Sequence, residues 1–329
     1  MKSAIAYSAV AVLAAISCAR IQTEESPLVP VRISLNAPVT RSGDDIIGAD
    51  SRISGATVYV MDPSTSDSSV PGDVVDIFTF DTEGQTDFDI ITSMGMKYFF
   101  IVLNGPAAGS PSSFSEVKAI QANMPQGRSD GPLMTGLSAK TNVNTAMQGI
   151  PITVTRQLFR VNITNITNSL PRNCNLTILY AYLSDYVSGY TLGNGNTPSI
   201  SYGNSEGRNG AGVIDGVTVF ADNPYTAISR AASIGSGAVC SDYEGIGMYA
   251  YPNPGTLRRT RVVLVASISG SICYYPIPLD PQNPNCSYDM DITIYNIGTQ
   301  DPDTELAKGT VSVGLSVNDW NVNNYSSNL

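Results

Sequence analysis

The side chains that could support chemistry in this sequence are two small groups of carboxylates. Asp301, Asp303 and Glu305 alternate in a polar stretch, a spacing that could place oxygen ligands around Ca²⁺. Asp289 and Asp291 alternate in an apolar run, so a strand would put both on one face, as a carboxylate pair for glycoside hydrolysis. The first group lacks the glycine and distal glutamate of a calcium loop, and the second is ordinary for the solvent face of a strand. We therefore predict no catalytic residue, no metal site and no cofactor.

The overall composition excludes several further classes of function. The 329 residues include no histidine, which removes Ser-His-Asp catalysis, Cys-His catalysis and histidine-ligated zinc. With 18 Lys and Arg against 28 Asp and Glu, the net charge is −10, which disfavours binding to nucleic acid. Hydrophobic residues make up 42% of the chain, which is enough to build cores for about two domains. The composition is that of a folded protein, and with no credible active site in the sequence we predict that it is not an enzyme.

The N-terminus has the features of a bacterial lipoprotein export signal. Lys2 precedes an apolar run at residues 4–16, which is shorter than the roughly 20 residues that a membrane-spanning helix needs. The run ends in Ala-Ile-Ser-Cys at residues 15–18, which is similar to a lipobox, whose cysteine is acylated and becomes the first residue. We expect residues 1–17 to be removed and Cys18 to carry lipid that anchors the protein to a membrane surface. An ordinary signal peptide with an incidental cysteine is the alternative.

The remaining cysteines leave their redox state open. Cys174, Cys240, Cys273 and Cys286 are an even number in an exported chain. They could form two disulfides, in any of three pairings, or remain free buried thiols. No Cys-x-x-Cys motif indicates a metal or redox site.

The body of the chain alternates apolar and polar residues in the way that is typical of half-buried β-strands. The first such run is residues 29–37. Its alternating apolar residues are Val29, Val31, Ile33, Leu35 and Ala37. Further runs, rich in Val, Ile, Thr and Tyr, are separated by Gly, Pro, Asn, Asp and Ser. The sequence predicts one short helix, at residues 115–122, in an otherwise all-β fold.

Many short strands with such punctuation favour two tandem β-sandwiches with long loops. A stretch without periodicity places the domain boundary near residue 148, so we predict one sandwich at residues 42–148 and another at residues 149–329. The apolar set changes phase within residues 152–166, which predicts a β-bulge or a bend between two strands. The polar stretch at residues 188–212 is predicted to be a solvated connection, with a recognition surface as the alternative.

Three stretches of the sequence resemble the fimbrillins of Bacteroidales, the type V pilins. The lipobox and the first alternating strand are followed by an arginine, Arg41, in the polar stretch PVTRSGDD at residues 38–45. The segment GPLMTG at residues 131–136, followed by ITVTRQLFRV at residues 152–161, is similar to the passage that opens the second domain in that family. The end of the chain, GTVSVGLSVNDWNV at residues 309–322, is similar to the last strand of the family.

The resemblance implies a fold and a mechanism. The fold would be two transthyretin-like sandwiches. Such pilins are exported as lipoproteins, and an arginine-specific protease cuts them after the first strand. Loss of that strand leaves unpaired backbone groups and an apolar groove, both of which a C-terminal strand of the next subunit satisfies. Because each subunit gives a strand and receives one, the contact does not close, and a filament forms.

Carried over to this chain, the resemblance identifies residues 18–41 as a propeptide that contains the removable strand, Val29–Ala37. The predicted cleavage site is Arg41, with Arg52 as the second choice. The predicted donor strand lies within residues 311–322. Its apolar residues are Val311, Val313, Leu315, Val317, Trp320 and Val322. The alternative is that both strands are permanent parts of the fold.

The predicted function is therefore a structural subunit of a fimbrium at the bacterial outer membrane and cell surface, supporting adhesion. The predicted partners are copies of the chain or other fimbrial subunits, outer-membrane lipid through Cys18, the arginine-specific protease, and host or bacterial surface ligands. One alternative is a lipid-retained anchor or a tip adhesin of the same fimbriae. Another is a carbohydrate-binding β-sandwich lipoprotein, for which the chain offers 17 Tyr and one Trp as ring platforms.

Overall fold

The all-β prediction is confirmed by a computed structural model of the chain, in which strands far outnumber helical residues. The model describes residues 27–36, 52–81, 84–106, 109–124, 131–144, 148–171, 174–187, 189–193, 213–214, 217–218, 227–228, 230–243, 247–254 and 258–319. Six of the residues singled out above lie outside these ranges. They are Cys18, Ala37, Arg41, Trp320 and Val322, together with the signal-peptide residue Lys2.

The first part of the chain, which contains the first sandwich, forms ten strands and one short helix. In chain order they are β1 Leu28–Asn36, β2 Ala56–Pro63, β3 Pro71–Phe80, β4 Asp87–Ser93, β5 Gly95–Leu103, α1 Phe114–Ala119, β6 Gln121–Asn123, β7 Met134–Leu137, β8 Thr141–Val143, β9 Gln148–Thr153 and β10 Thr155–Arg156. One sheet has the order β4-β1-β9, and the other has the order β10-β7-β5-β2-β3, with β8 also paired to β5. Alternate side chains of both sheets point inward and form a shared apolar core.

The second sandwich is larger. Its elements are β11 Phe159–Asn168, β12 Leu176–Ser184, β13 Gly189–Thr191, β14 Val213–Ile214, β15 Val217–Thr218, β16 Ala227–Ile228, β17 Ala232–Ile234, β18 Val239–Cys240, β19 Gly247–Ala250, β20 Arg261–Ile268, β21 Ser271–Pro278, β22 Cys286–Ile294 and β23 Val311–Asp319. One sheet has the order β18-β11-β22-β23, with β19 paired to β11, and the other has the order β16-β12-β20-β21, with β17 paired to β12. The largest apolar cluster of the protein lies between them.

The chain crosses from one sandwich to the other later than the sequence predicts. β9 pairs with β1 and β10 pairs with β7, so both belong to the first sandwich. The crossing therefore falls at residues 157–158 rather than near residue 148. The predicted boundary was too early because the stretch before residue 148, which lacks periodicity, contains the short strands β7 and β8 of the first sandwich, both paired with β5. The predicted phase change at residues 152–166 is the crossing itself, and β11 adds a register irregularity between Ile163 and Asn165.

The helix is shorter than predicted and ends at residue 119 instead of 122. The Ser113 hydroxyl accepts a hydrogen bond from the Glu116 N–H at 3.3 Å, which caps the first turn. After Ile120 the backbone becomes extended, and β6 pairs with β13 of the second sandwich. Residues 121–123 therefore form a strand paired with β13 instead of a further turn of the helix. Among the described residues, no helix has the length and apolar character to span a membrane.

A third apolar cluster joins the two sandwiches. It lies on the outer face of the larger first-domain sheet and includes side chains of both domains. Tyr190 and Tyr251 stack there with ring centroids 4.9 Å apart. The Tyr251 hydroxyl also donates a hydrogen bond to the Asn123 carbonyl at 3.1 Å. The two sandwiches are therefore connected by apolar packing as well as by the chain.

The cysteines resolve one of the alternatives that the sequence left open. Cys240, Cys273 and Cys286 are all thiols in the described structure, so a pair of disulfides among the four residues does not form. Burial raises the pKa of the Cys273 and Cys286 thiols. Deprotonation, and with it thiolate reactivity, is accordingly suppressed.

Candidate functional site: the groove that β1 fills and the open edge strand β23

The side chains of β1 alternate between the core and solvent as the sequence predicts. Val31 and Ile33 are 0% exposed, and Val29 is also buried. Leu35 is half-buried and packs against the same core. The strand therefore supplies an apolar row that completes the core of the first sandwich.

β1 is the middle strand of its sheet. Its antiparallel neighbour is β4, with Ile33 opposite Phe88, and its parallel neighbour is β9, with Ile33 beside Ile150. The pairing continues beyond β4, because the Leu35 N–H donates to the Thr86 carbonyl at 2.8 Å. The space between β4 and β9 that β1 fills is called the first-strand groove below. Without β1, both neighbouring edges of the groove would be unpaired and its apolar floor would be exposed.

The solvent face of β1 makes specific polar contacts with β4. Arg32 donates two hydrogen bonds to Asp89, at 2.7 Å from Nε and 2.9 Å from Nη2. The Ser34 hydroxyl donates to Asp87 at 2.7 Å. The hydrogen bond and charge of Arg32 lower the pKa of the Asp89 carboxyl, and Asp89 in turn raises the pKa of Arg32. A two-pronged contact of this kind fixes the lateral position of the strand as well as attracting it.

The second candidate element, β23, lies at the edge of its sheet. It pairs with β22 in antiparallel register, with Leu315 opposite Met290. In the part of the chain that the structure describes, no strand pairs with its other edge. Val311 and Val313 pack on the second core, but Leu315 is 41% exposed and Val317 is 52% exposed. An edge strand with exposed apolar side chains is a ready site for pairing with another chain.

A cavity of about 1290 Å³ lies beside β23 and opens between it and β21. Val311, Val313 and Ile277 contribute apolar side chains to it, and charged residues line the rest. Asp185 is buried at one end, where it forms ion pairs with Arg258 at 2.9 Å and Arg261 at 2.5 Å. The cavity therefore separates β21 from β23, and ion pairs fix the positions of its charged side chains.

The carboxylates that first suggested chemistry have structural partners. Asp303 forms an ion pair with Arg261 at 2.9 Å, and the Asp301 carboxylate accepts the Asp303 N–H at 3.0 Å. Asp289 accepts hydrogen bonds from Ser287 at 2.9 Å and from Asn318 at 3.0 Å. Within the described residues, no cluster of acidic, cysteine or histidine side chains has a geometry that could hold a metal ion.

Arg52, the second-choice cleavage site, is held in the fold. Its carbonyl accepts a hydrogen bond from the Asn104 side chain at 2.7 Å. The next carbonyl, that of Ile53, accepts the Gly84 N–H at 2.8 Å, and the Ile53 side chain is buried. A protease needs an exposed, extended substrate, so these contacts make the Arg52–Ile53 bond a poor one to cut.

Sequence reasoning missed the polar contacts that line the first-strand groove. The sequence alone predicts no role for Arg32, Asp87 or Asp89. A signal was present, since two carboxylates alternate with apolar residues in the run that became β4. Their role depends on the register between β1 and β4. Arg32 and its partner Asp89 are 57 positions apart in the sequence, so no local pattern links them.

Solved structures share this architecture, although no protein-family model and no curated protein sequence matches the chain. A candidate cell adhesion protein of Bacteroides eggerthii DSM 20697 aligns with a TM-score of 0.61 at 15% identity, over 90% of this chain and 97% of that one. A fimbrilin, FimA, of Porphyromonas gingivalis W83 aligns with a TM-score of 0.59 at 15% identity, over 89% and 97%. A candidate adhesion protein of Parabacteroides distasonis ATCC 8503 gives 0.59 at 13% identity, over 90% and 100%. The predicted resemblance is confirmed for the fold, and the chain has the fold of these fimbrial and adhesion proteins.

Proposed function

We propose that this chain is a structural subunit of a cell-surface fimbrium and not an enzyme. The observation that carries the proposal is the position of β1, a buried middle strand close to the N-terminus of the described chain. Only a strand in such a position leaves a continuous groove when it is removed. The likeness to a fimbrilin and to candidate adhesion proteins supports the same role.

In this proposal the chain reaches the outer membrane as a lipoprotein acylated on Cys18 and is cut after Arg41. Arg41 lies five residues beyond Asn36, the end of β1, in a segment of turn-forming residues. The competing arginines are less suitable, because Arg32 is paired to Asp89 and the Arg52 carbonyl is hydrogen-bonded. Cleavage after Arg41 would separate β1 from the strands that follow it in the chain.

The cut subunit would then accept a C-terminal strand from a second copy or from another fimbrial subunit. β23 is suited to this role because, among the strands that the structure describes, only β22 pairs with it, and because it exposes Leu315 and Val317. Each apolar side chain that becomes fully buried contributes about 1.5–3 kcal/mol before the cost of ordering the strand is subtracted. Val29, Val31 and Ile33 indicate the kind of side chain that the groove accepts.

The test is the N-terminal sequence of protein sheared from the cell surface. A start at Ser42 supports cleavage and polymerisation. In the Arg41→Lys variant, which keeps the charge but resists an arginine-specific protease, we expect unprocessed protein and no polymer. Arg52→Lys is the matched control and should be processed normally. If all surface material of the unaltered chain retains an acylated Cys18, the subunit is a lipid-held anchor and the cleavage proposal is wrong.

The carbohydrate-binding alternative finds no support in the stacked tyrosines. Tyr180 and Tyr182 stack with centroids 6.0 Å apart, and Tyr190 stacks with Tyr251, but all four rings are buried. A sugar platform needs an exposed ring face. Binding of the soluble monomer to a glycan array would nevertheless revive this alternative.

A further inference from the structure

A second cavity, of about 570 Å³, lies against the larger sheet of the first sandwich. Its floor includes Thr57, Thr79 and Val102, which lie side by side on β2, β3 and β5. One wall is β6, whose pairing with β13 of the second sandwich places Gln121 and Asn123 beside that floor. The volume is within the range of about 300–1000 Å³ that is usual for sites that bind small molecules.

Thr57 is a buried threonine whose hydroxyl the fold leaves without a hydrogen bond. Its neighbour Val58 belongs to the core between the two sheets, so Thr57 lies on the opposite, outer face of the sheet, where the cavity is. The residue is 7% exposed, and within the described part of the chain its hydroxyl has no partner. Burial of an unpaired hydroxyl costs free energy, because the group has lost water and gained nothing. A ligand hydroxyl in the cavity would remove that cost.

Further polar side chains that line the cavity are also without a hydrogen-bond partner among the described residues. They are those of Thr79, Asp81, Gln121 and Asn123. Asn104 differs from them, because its amide is bonded to two backbone carbonyls and is part of the wall. The cavity beside β23 differs as well, since Asp185 and Asp303 are already paired with arginines there. The cavity in the first sandwich therefore offers free hydrogen-bonding groups, whereas much of the charge in the other is neutralised.

The types of these side chains select a class of ligand. Hydroxyl and amide groups both donate and accept hydrogen bonds, as the hydroxyls of a sugar require. Asp81 is the only charged residue among the described residues that line the cavity, so a phosphate or a carboxylate would find no cation there. Val102 and Met124 add buried apolar side chains, against which the C–H groups of a sugar ring can pack. The lining is therefore suited to a ligand that is uncharged and rich in hydroxyls.

We propose that this cavity binds a neutral sugar unit of a surface glycan. The Thr57 hydroxyl would pair with one sugar hydroxyl, and the Asp81 carboxylate would accept hydrogen bonds from others. Recognition would depend on hydrogen bonds within a cleft and not on stacking against an aromatic ring, so the burial of the stacked tyrosines does not bear on it. The inference goes beyond the proposed function and does not depend on strand exchange, because the first-strand groove belongs to the other sheet of the sandwich.

The first experiment asks which glycans the protein binds. The full chain with Cys18→Ala, which prevents acylation, is applied to an array of galactose-, mannose- and N-acetylglucosamine-terminated glycans together with sialylated ones. We expect binding to at least one neutral terminal sugar, and we expect the free monosaccharide to compete with it. Binding that requires sialic acid would overturn the inference, since the described lining offers no cation for its carboxylate. Absence of binding to every neutral glycan would overturn it too.

The second experiment locates the site. Thr57→Val keeps the shape of the side chain and removes the hydroxyl, so binding should weaken at least about fivefold while the melting temperature stays the same or rises. Thr164→Val is the matched control, because the Thr164 hydroxyl donates to the Met290 carbonyl at 2.9 Å in the second sandwich. This control should lower the melting temperature and leave glycan binding unchanged. Asp81→Asn alters an exposed residue and should weaken binding about tenfold.

The outcomes separate this inference from the proposed function. If Thr57→Val and Asp81→Asn both bind glycan as the unaltered chain does, the sugar lies elsewhere and the inference is wrong. That result would leave the fimbrial role intact, because the N-terminal sequence of surface protein tests that role independently. Conversely, retention of an acylated Cys18 would refute cleavage without affecting the sugar site.

Discussion

β1 and β23 have the same alternation of apolar residues, and each pairs with an antiparallel neighbour, yet their environments differ. β1 has a strand on each side and buries Val31 and Ile33 completely. In the part of the chain that the structure describes, β23 has one neighbouring strand, and its Leu315 and Val317 are about half exposed. The difference lies in the sheets and not in the strands. A strand with an apolar row is stable in either place, but the middle place satisfies both backbone edges and buries the whole row.

The comparison also suggests why such a subunit would remain monomeric until it is cut. As long as β1 stays in the groove, β23 has no better place than the edge of its own sheet. In the proposed mechanism, removal of β1 would reverse the preference, because a middle position would become vacant. The stabilities of the two strands in their two places would then decide assembly, and each can be changed separately.

The largest effect is expected from Leu315→Asp, which places a charge on the apolar row of β23. In the monomer Leu315 is 41% exposed, so the fold should tolerate the change. In the groove the carboxylate would lie among apolar side chains, where burial of a charge is costly, and assembly of cut chains should fall by at least about a hundredfold. Size-exclusion chromatography of cut protein measures assembly, and circular dichroism of uncut protein checks the fold. Normal assembly of this variant would rule out β23 as the donor.

A matched pair of truncations compares the two strands within the uncut monomer. Ile33→Ala should lower the free energy of unfolding of the first sandwich by about 2–5 kcal/mol, because it leaves a cavity in a closed core. Leu315→Ala removes a similar side chain from a half-open position and should cost less than about 1 kcal/mol. Urea denaturation of the two variants beside the unaltered chain gives both values. Equal losses would mean that β23 is covered in the intact protein and is not available to a partner.

The sequence was informative about the strands and much less so about their partners. The alternation at residues 29–37 and 311–317 predicted two strands, which are β1 Leu28–Asn36 and β23 Val311–Asp319. The inward side chains are as predicted in β1, whereas in β23 only Val311 and Val313 pack on the core. It could not predict that β1 is central and β23 peripheral, because neighbours in a sheet come from distant parts of the chain. The parallel pairing of β9 with β1 was missed for the same reason, and the domain boundary was placed too early as a result.

Local patterns also failed where a distant strand competes with them. Residues 120–122 follow the helical periodicity of α1, but the backbone there becomes extended and pairs with Gly189–Thr191 of the second sandwich. The role of Arg32 could not be predicted for a similar reason. As a single arginine in a strand it carries no signal, and its role as the partner of Asp89 emerges only from the register.

A smaller effect is expected where the cavity beside β23 is bordered by ion pairs. Asp185 is buried and is bonded to both Arg258 and Arg261, so Asp185→Asn removes a charge that two guanidinium groups share. We expect the second sandwich to lose about 2 kcal/mol, because Arg261 keeps only Asp303 as an ionic partner. Thermal unfolding of the variant measures this loss. Asp303→Asn is the control and should have a smaller effect, since that carboxylate is half exposed. A loss from Asp185→Asn no greater than that from the control would show that the charge of Asp185 is not needed.

The smallest effect concerns the ion pair between Arg32 and Asp89, which is exposed to solvent. Arg32 lowers the pKa of Asp89, so the pair stabilises β1 in the groove above the usual titration range of an aspartate and loses this contribution as the pH falls through the lowered pKa. Release of β1 from chains cut after Arg41 should therefore become easier below about pH 4 than at neutral pH. Arg32→Met keeps the aliphatic stem but removes the charge, so this variant should release β1 more easily at neutral pH and show less change on acidification. If acid promotes release equally in both proteins, other carboxylates control it, and Arg32 has no part in retaining the strand.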